Sequence, residues 1–238
     1  MKNRWSEKEA AQFKKKYGKE YGEDLALRTY TERLIGAEEN LVLHGGGNTS
    51  VKGTYKNILG NEIPAVFVKT SGKDLASIEP EGHTGLDLNY LTELAKLEEL
   101  SDDDMVNELM THRLKSDEGM PSIEALMHAF IPVKFIDHTH ADAILALTNQ
   151  TDGEKKIREV FGDSVSIVKY RRPGFMLAKA VAEAFEDSPD VKGIVLMKHG
   201  LLTWGETARE SYERTIELVT LAEKYLDKKA KVKIKGKS

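Results

Sequence analysis

Residues 193–205, GIVLMKHGLLTWG, decide the architecture. An apolar run, Gly193 to Met197, reaches Lys198-His199-Gly200, and a second apolar run, Leu201 to Gly205, follows at once. Two strands joined by so short a link pair antiparallel, because a parallel pair needs a crossover of a dozen residues or more. A hairpin here argues against a purely parallel α/β sheet.

The other segments follow from the same patterns. Apolar runs at 41–43, 65–69, 133–136 and 165–168 read as strands. Helical periodicity marks a stretch from Ser6, where Glu9 completes a capping box, then 23–37, two helices within 86–115, 121–130, 142–150, 153–161, 174–185 and 206–228. Ser101 caps the second helix of the 86–115 pair, and Pro121-Ser122 opens the next. Short strands lie between helices without strict alternation, no repeat of 20–50 residues recurs, and no Pro/Gly/Ser linker divides the chain. The expectation is one α/β domain over 1–238, a mixed and largely antiparallel central sheet with helices layered on it.

The 238 residues include seven histidines and no cysteine. Disulfides, zinc ribbons, iron–sulfur clusters and thiol nucleophiles are thereby excluded, and any metal site rests on His, carboxylate, backbone or water. Net charge is −4, yet residues 228–238 (KKAKVKIKGKS) carry six lysines and no acid, so the rest of the chain carries −10. An acidic body argues against a nucleic-acid groove. The basic end reads as a frayed, solvated tail. No apolar run approaches the ~20 residues that span a bilayer, and MKNRWSEKEA lacks an apolar signal core. A cytoplasmic protein without membrane or nucleic-acid partners is expected.

Four groups of residues could carry chemistry. His138 and His140 are i and i+2 on a strand, so both rings face one side and can grip one divalent ion. Asp137 and Asp142 flank them and could orient the rings. Spacing alone fits two surface histidines equally well. His199 ends a strand beside Gly200, and with the pair it would make a three-histidine site with one position open, as in catalytic zinc sites. Gly45-Gly46-Gly47-Asn48-Thr49-Ser50 and Thr70-Ser71-Gly72-Lys73 are loops whose amides can approach an anion closely, and they could converge with Ser122 on one phosphate. Neither loop is a P-loop or a dinucleotide fingerprint, and either could be a plain turn. Glu124 sits in a first helical turn, where an acid suits the dipole, and could move a proton beside a metal. His128 reads as a core residue or as a support to that site. His44 could line it, and His83 and His112 read as solvent-facing.

Read together, HGGGNTSVKG, VKTSGKDL, PSIEALMH, HTHADA and KHGLLTWG stand in the order that resembles the class II aldolase/adducin-head family, over about residues 22–228. The stretches LALRTYTERLIGAEENLVLHGGGNTSVKG, HTHADAILALTNQ and ARESYERTIELVTLAEKYL are most similar to the aldolase-type N-terminal domain of bifunctional rhamnulose-1-phosphate aldolase/lactaldehyde dehydrogenases. The resemblance implies zinc-dependent cleavage of a rhamnulose- or fuculose-1-phosphate type of ketose 1-phosphate into dihydroxyacetone phosphate and an aldehyde, through a metal-stabilised enediolate. It implies one Zn²⁺ per chain on His138, His140 and His199. Glu124 would be base and acid, and Gly47, Asn48, Ser71, Gly72 and Ser122 would hold the phosphate. It also implies a homo-oligomer, commonly a tetramer. The alternatives on this scaffold are a sugar-phosphate dehydratase or epimerase, and a non-catalytic adducin-like head. Glu124, where epimerases typically carry aspartate, favours aldolase or dehydratase, and the full ligand set disfavours the non-catalytic head.

Three departures are visible. Ser122-Ile123-Glu124 stands where many members have Ser-Ser-Glu. Residues 141–169 lack the tyrosine that simple aldolases place after the HxH, which leaves Tyr170 and Tyr225 as weak candidates. The chain carries no dehydrogenase fingerprint, so dehydrogenase activity is not expected.

Overall fold

The computed structural model describes residues 1–235. Seven strands form one sheet: β1 (Asn48–Lys56), β2 (Glu62–Lys69), β3 (His83–Asp87), β4 (Phe135–Thr139), β5 (Val165–Val168), β6 (Gly193–Leu196) and β7 (Gly200–Gly205). Their order across it is β3-β2-β1-β4-β7-β6-β5. Among the described residues only β5 and β6 pair in parallel; every other neighbour is antiparallel. The hairpin of 193–205 forms as expected, with Leu196 opposite Gly200.

Alternation along each strand divides the core in two. Val66, Val68, Ile136, Ile194, Leu196, Leu202 and Trp204 meet α3 (Leu88–Leu94), α4 (Asp102–Thr111), α5 (Ala125–Phe130) and α8 (Phe175–Asp187). Val165, Val195 and Leu201 meet α2 (Glu23–Gly36), α6 (Asp142–Thr148), α7 (Gly153–Phe161) and α9 (Ala208–Lys235) on the other face. A ninth helix among the described residues, α1 (Glu7–Tyr21), packs on α2 and starts at Ser6, whose hydroxyl accepts from the Glu9 amide. The result is a three-layer α/β domain with helices on both faces of a mixed sheet.

Four local expectations need correction. Leu41-Val42-Leu43 is a turn: the Leu41 and Val42 amides both bond the Glu38 carbonyl, and burial of Leu41 and Val42 explains the apolar run. The strand begins instead at Asn48, whose polar sequence hides it. The helix expected from Pro121 begins only at Ala125, because residues 120–122 pair with the end of β2. The segment expected to fray from 228 continues α9 to Lys235; residues 236–238 lie outside the described ones.

Candidate active site

The register places the site. Asn48 stands opposite His138 on one side of β4, and Leu202 stands opposite it on the other. His138 shares the α5 face with Ile136, two residues earlier. His140 follows just past the strand end. His199 arrives from the β6–β7 turn, where Lys198 adopts a left-handed φ of 60°, an uncommon conformation for a residue with a side chain.

The three rings converge. His138 Nε2 lies 3.1 Å from His140 Nε2 and 3.3 Å from His199 Nε2. Glu124, just before α5, brings Oε2 to 3.5 Å from His138 Nε2 and Oε1 to 3.3 Å from His199 Nε2. One ligand atom from each of the four residues lies within 4.8 Å of the other three. His138 Nδ1 lies 3.1 Å from the Leu201 carbonyl. That carbonyl accepts the Nδ1 proton, so a neutral ring presents a bare Nε2 lone pair to its neighbours. Burial, with the His140 and His199 rings beside it, holds His138 well below the ordinary histidine value. Burial and His199 also lower His140; Glu124 opposes and Lys69 assists. Glu124 Oε1 is buried without a hydrogen-bond partner. Three imidazole rings crowded beside a buried carboxylate, one of whose oxygens lacks a hydrogen-bond partner, suit a divalent cation.

Glu124 is held from behind. Asn48 Nδ2 donates to its Oε2 at 2.6 Å. His128 Nε2 donates to Asn48 Oδ1 at 2.5 Å, and the Ser50 hydroxyl donates to His128 Nδ1 at 2.8 Å. This pattern requires a neutral His128, which agrees with burial holding that ring well below its ordinary value. Asn48 therefore reaches the carboxylate directly, a contact that sequence spacing did not reveal.

The two glycine-bearing loops meet beside the histidines. The end of β2 bridges to Pro121 through Thr70: the Ser71 amide donates to the Met120 carbonyl at 2.8 Å, and the Ser122 amide to the Lys69 carbonyl at 3.1 Å. Ser71, Gly72 and Ser122 are thereby neighbours, the first two exposed and Ser122 buried. A Cβ on Gly45 would stand 3.3 Å from Gly72 Cα, so the loops touch. Gly47 has φ +65°, and a Cβ there would lie 2.9 Å from the His138 carbonyl. That position is closed to other residues by both conformation and space.

Other candidates fall elsewhere. Asp137 points to the opposite face of β4, where it pairs with Arg28 at 2.5 Å and accepts from Ser211, so it does not orient the histidines. Asp142 is exposed on α6. His83 is not solvent-facing: it is buried, with Nε2 on both oxygens of Glu32. His112 is half-buried beside Tyr90. His44 is exposed with φ 50°. Tyr170 is exposed and Tyr225 donates to Glu159.

The mixed seven-stranded sheet carries a His₃Glu cluster that could hold a metal ion, beside two glycine-bearing loops. The chain belongs to the class II aldolase and adducin N-terminal domain family, whose model matches residues 29–226. It is 38% identical over 227 residues to a Bacillus subtilis (strain 168) protein named uncharacterized oxidoreductase YuxG, covering 95% of this chain and 32% of that protein. The chain thus spans about a third of that relative's length. The N-terminal class II aldolase domain of a conserved Thermoplasma acidophilum protein superposes with TM-score 0.84 at 40% identity, covering 95% of this chain and 99% of that one. A Picosynechococcus methylthioribulose-1-phosphate dehydratase is 26% identical over 204 residues, covering 77% of this chain and 84% of that enzyme.

Proposed function

We propose that the chain is a divalent-metal-dependent aldolase that cleaves a ketose 1-phosphate, of the rhamnulose- or fuculose-1-phosphate type, into dihydroxyacetone phosphate and an aldehyde. The observation that carries this reading is the meeting of His138, His140, His199 and Glu124, one ligand atom of each within 4.8 Å of the others, with Oε1 of Glu124 buried and without a hydrogen-bond partner. His138, His140 and His199 would hold the ion, with Zn²⁺ the first choice for an all-nitrogen set and one ion per chain. Such an ion supplies Lewis-acid charge that stabilises the enediolate left when a carbon–carbon bond beside a carbonyl breaks. Glu124 would return a proton from Oε1 to the substrate carbon while Asn48 holds Oε2. Gly47, Asn48, Ser71, Gly72 and Ser122 would seat the phosphate, whose binding energy orients the reacting end.

The same reading includes a homo-oligomer, taken as a tetramer, and exposed Leu43, Met120 and Ile123 supply apolar surface near the loops. It also places the protein in the cytoplasm; no helix among the described residues is long and apolar enough to cross a membrane.

The deciding experiment offers metal-loaded protein rhamnulose- and fuculose-1-phosphate and measures dihydroxyacetone phosphate. Release from either supports the proposal. Inertness toward both, with water loss from methylthioribulose-1-phosphate, would install the dehydratase reading, which the 26% identical relative supports.

A further inference from the structure

Residues 169–172, Lys-Tyr-Arg-Arg, leave the sheet at the edge where the histidines converge. Val168 ends β5 opposite Leu196 of the parallel strand β6, and the Met197 amide donates to the Val168 carbonyl at 3.0 Å. The loop therefore starts roughly one strand spacing, ~4.8 Å, from the turn that delivers His199. Lys169, Arg171 and Arg172 are exposed, and so is Lys198 within that turn. Pro173 and the buried Gly174 and Phe175 fix the base of the loop at the start of α8.

The chain has nine arginines. Arg4, Arg28, Arg33, Arg209 and Arg214 pair with carboxylates, and Arg113 and Arg158 donate to backbone carbonyls. Arg171 and Arg172 alone form neither an ion pair nor a hydrogen bond among the described residues. Asp102 lines the same surface cleft and pairs with neither. Lys169 and Lys198 form no ion pair among the described residues either. A guanidinium is always charged, and its planar fork matches phosphate and carboxylate. Four unpaired exposed cations thus gather beside the histidine cluster, on a chain whose first 227 residues carry −10.

We infer that Lys169, Arg171, Arg172 and Lys198 form a basic entrance to the histidine site, which draws in an anionic ligand and speeds its association against the field of the acidic body. This inference rests on the proposed reading of the ligand as a sugar phosphate, a dianion. The entrance and the two glycine-bearing loops lie on opposite sides of the histidines: β1 and β2 stand to one side of β4, and β6 and β5 to the other. Its cations act during approach and need no contact with the phosphate once that group is seated. With three charges each ~12 Å from an incoming dianion, attraction through water at 10 mM salt amounts to about tenfold in rate, and at 0.15 M to about twofold.

The probe is dihydroxyacetone phosphate, mixed by stopped flow with the Co²⁺-substituted chain, whose visible absorption reports a ligand reaching the metal. K169Q/R171Q/R172Q removes three charges from exposed side chains that hold nothing in place. K8Q/K15Q/K19Q removes three from exposed positions on α1 and controls for net charge. At ~10 mM ionic strength the loop variant should associate about tenfold more slowly than wild type, with dissociation changed less than about twofold. The control should stay within about twofold of wild type, and ~0.15 M salt should shrink the tenfold gap to about twofold. Equal association of loop variant and wild type at low salt, equal slowing in the control, or a wild-type rate indifferent to salt would overturn the entrance and leave the sugar-phosphate reading standing. A wild type that takes up no Co²⁺, or whose spectrum dihydroxyacetone phosphate leaves unchanged, would overturn both.

Discussion

Replacing His83 by Ala should destabilise the protein without touching the histidine cluster. His83 opens β3 directly opposite Lys69. Its Nε2 lies 2.9 Å from both oxygens of Glu32, and its Nδ1 lies 2.9 Å from the Pro80 carbonyl. Both ring nitrogens thus face oxygen acceptors. Glu32, fully buried on α2, also accepts from Thr49 on β1. The pair therefore pins α2 to β1 and β3 beneath the two loops. His83→Ala leaves the carboxylate buried with only the Thr49 bond and the more distant charge of Arg28. Breaking a buried pair from one side costs ~3–5 kcal/mol. The surviving hydrogen bond returns roughly 1 kcal/mol, so urea denaturation at pH 7 should show a loss of ~2–4 kcal/mol. The pH trend has a definite sign. Burial pushes the Glu32 carboxyl up, but His83, Arg28 and Thr49 together hold it below the usual value. A depressed carboxyl gives stability that is full above its unfolded pKa of about 4.3 and is lost as pH falls through its folded value. Without His83 that carboxyl takes its proton at higher pH. The gap between variant and wild type should therefore narrow as pH falls from about 5, where an unfolded histidine is already charged. A loss under ~1 kcal/mol at pH 7, or a gap that widens from pH 5 to 4, would refute the buried pair.

Four further outcomes are expected. His199→Ala and His140→Ala should each lower bound divalent metal, measured by inductively coupled plasma mass spectrometry, while His83→Ala should not. Chelation should also lower the melting temperature, since an ion bound only by the native state adds about 2.7 kcal/mol at hundredfold excess over Kd. Gly47→Ala should weaken metal binding and cost ~1–3 kcal/mol, because its φ is +65° and its Cβ would meet Val42 at 2.7 Å and the His138 carbonyl at 2.9 Å. Lys52→Met should cost ~2–4 kcal/mol by stranding three carbonyls, and hydrogen exchange should quicken around 128–133.

The parts legible in sequence were those set by periodicity and local spacing. The hairpin at 193–205, the helices 142–161 and the shared face of His138 and His140 follow from residue order alone. What sequence hid lies in non-local pairing. β1 reads as polar because Asn48, Thr49 and Ser50 are buried by hydrogen bonds to Glu124, Glu32 and His128, not by apolar packing. His83 looked solvent-facing because Glu32, its partner, is 51 residues away. Asp137 adjoins the ligand pair in sequence, yet strand alternation turns it away toward Arg28. Lys69 ends an apolar strand, where a lysine is easily read as the start of solvent; only the approach of residues 45 and 73 shows it buried.

The His-Gly pair at 199–200 shows why the candidate site needs the antiparallel frame. β7 must run close beside β4 for His199 to reach His138, and Gly200 lies at the point of closest approach. A Cβ at that position would stand 2.2 Å from the Thr139 carbonyl and 3.2 Å from His138 Cε1. Backbone cannot give by that much without moving the strand. Any side chain there would lift the start of β7 away from β4 and carry His199 with it, separating nitrogens now 3.3 Å apart. The glycine and the histidine are thus one geometric requirement. Glycine permits the approach, the left-handed Lys198 aims the turn, and the imidazole occupies the position that the two together create.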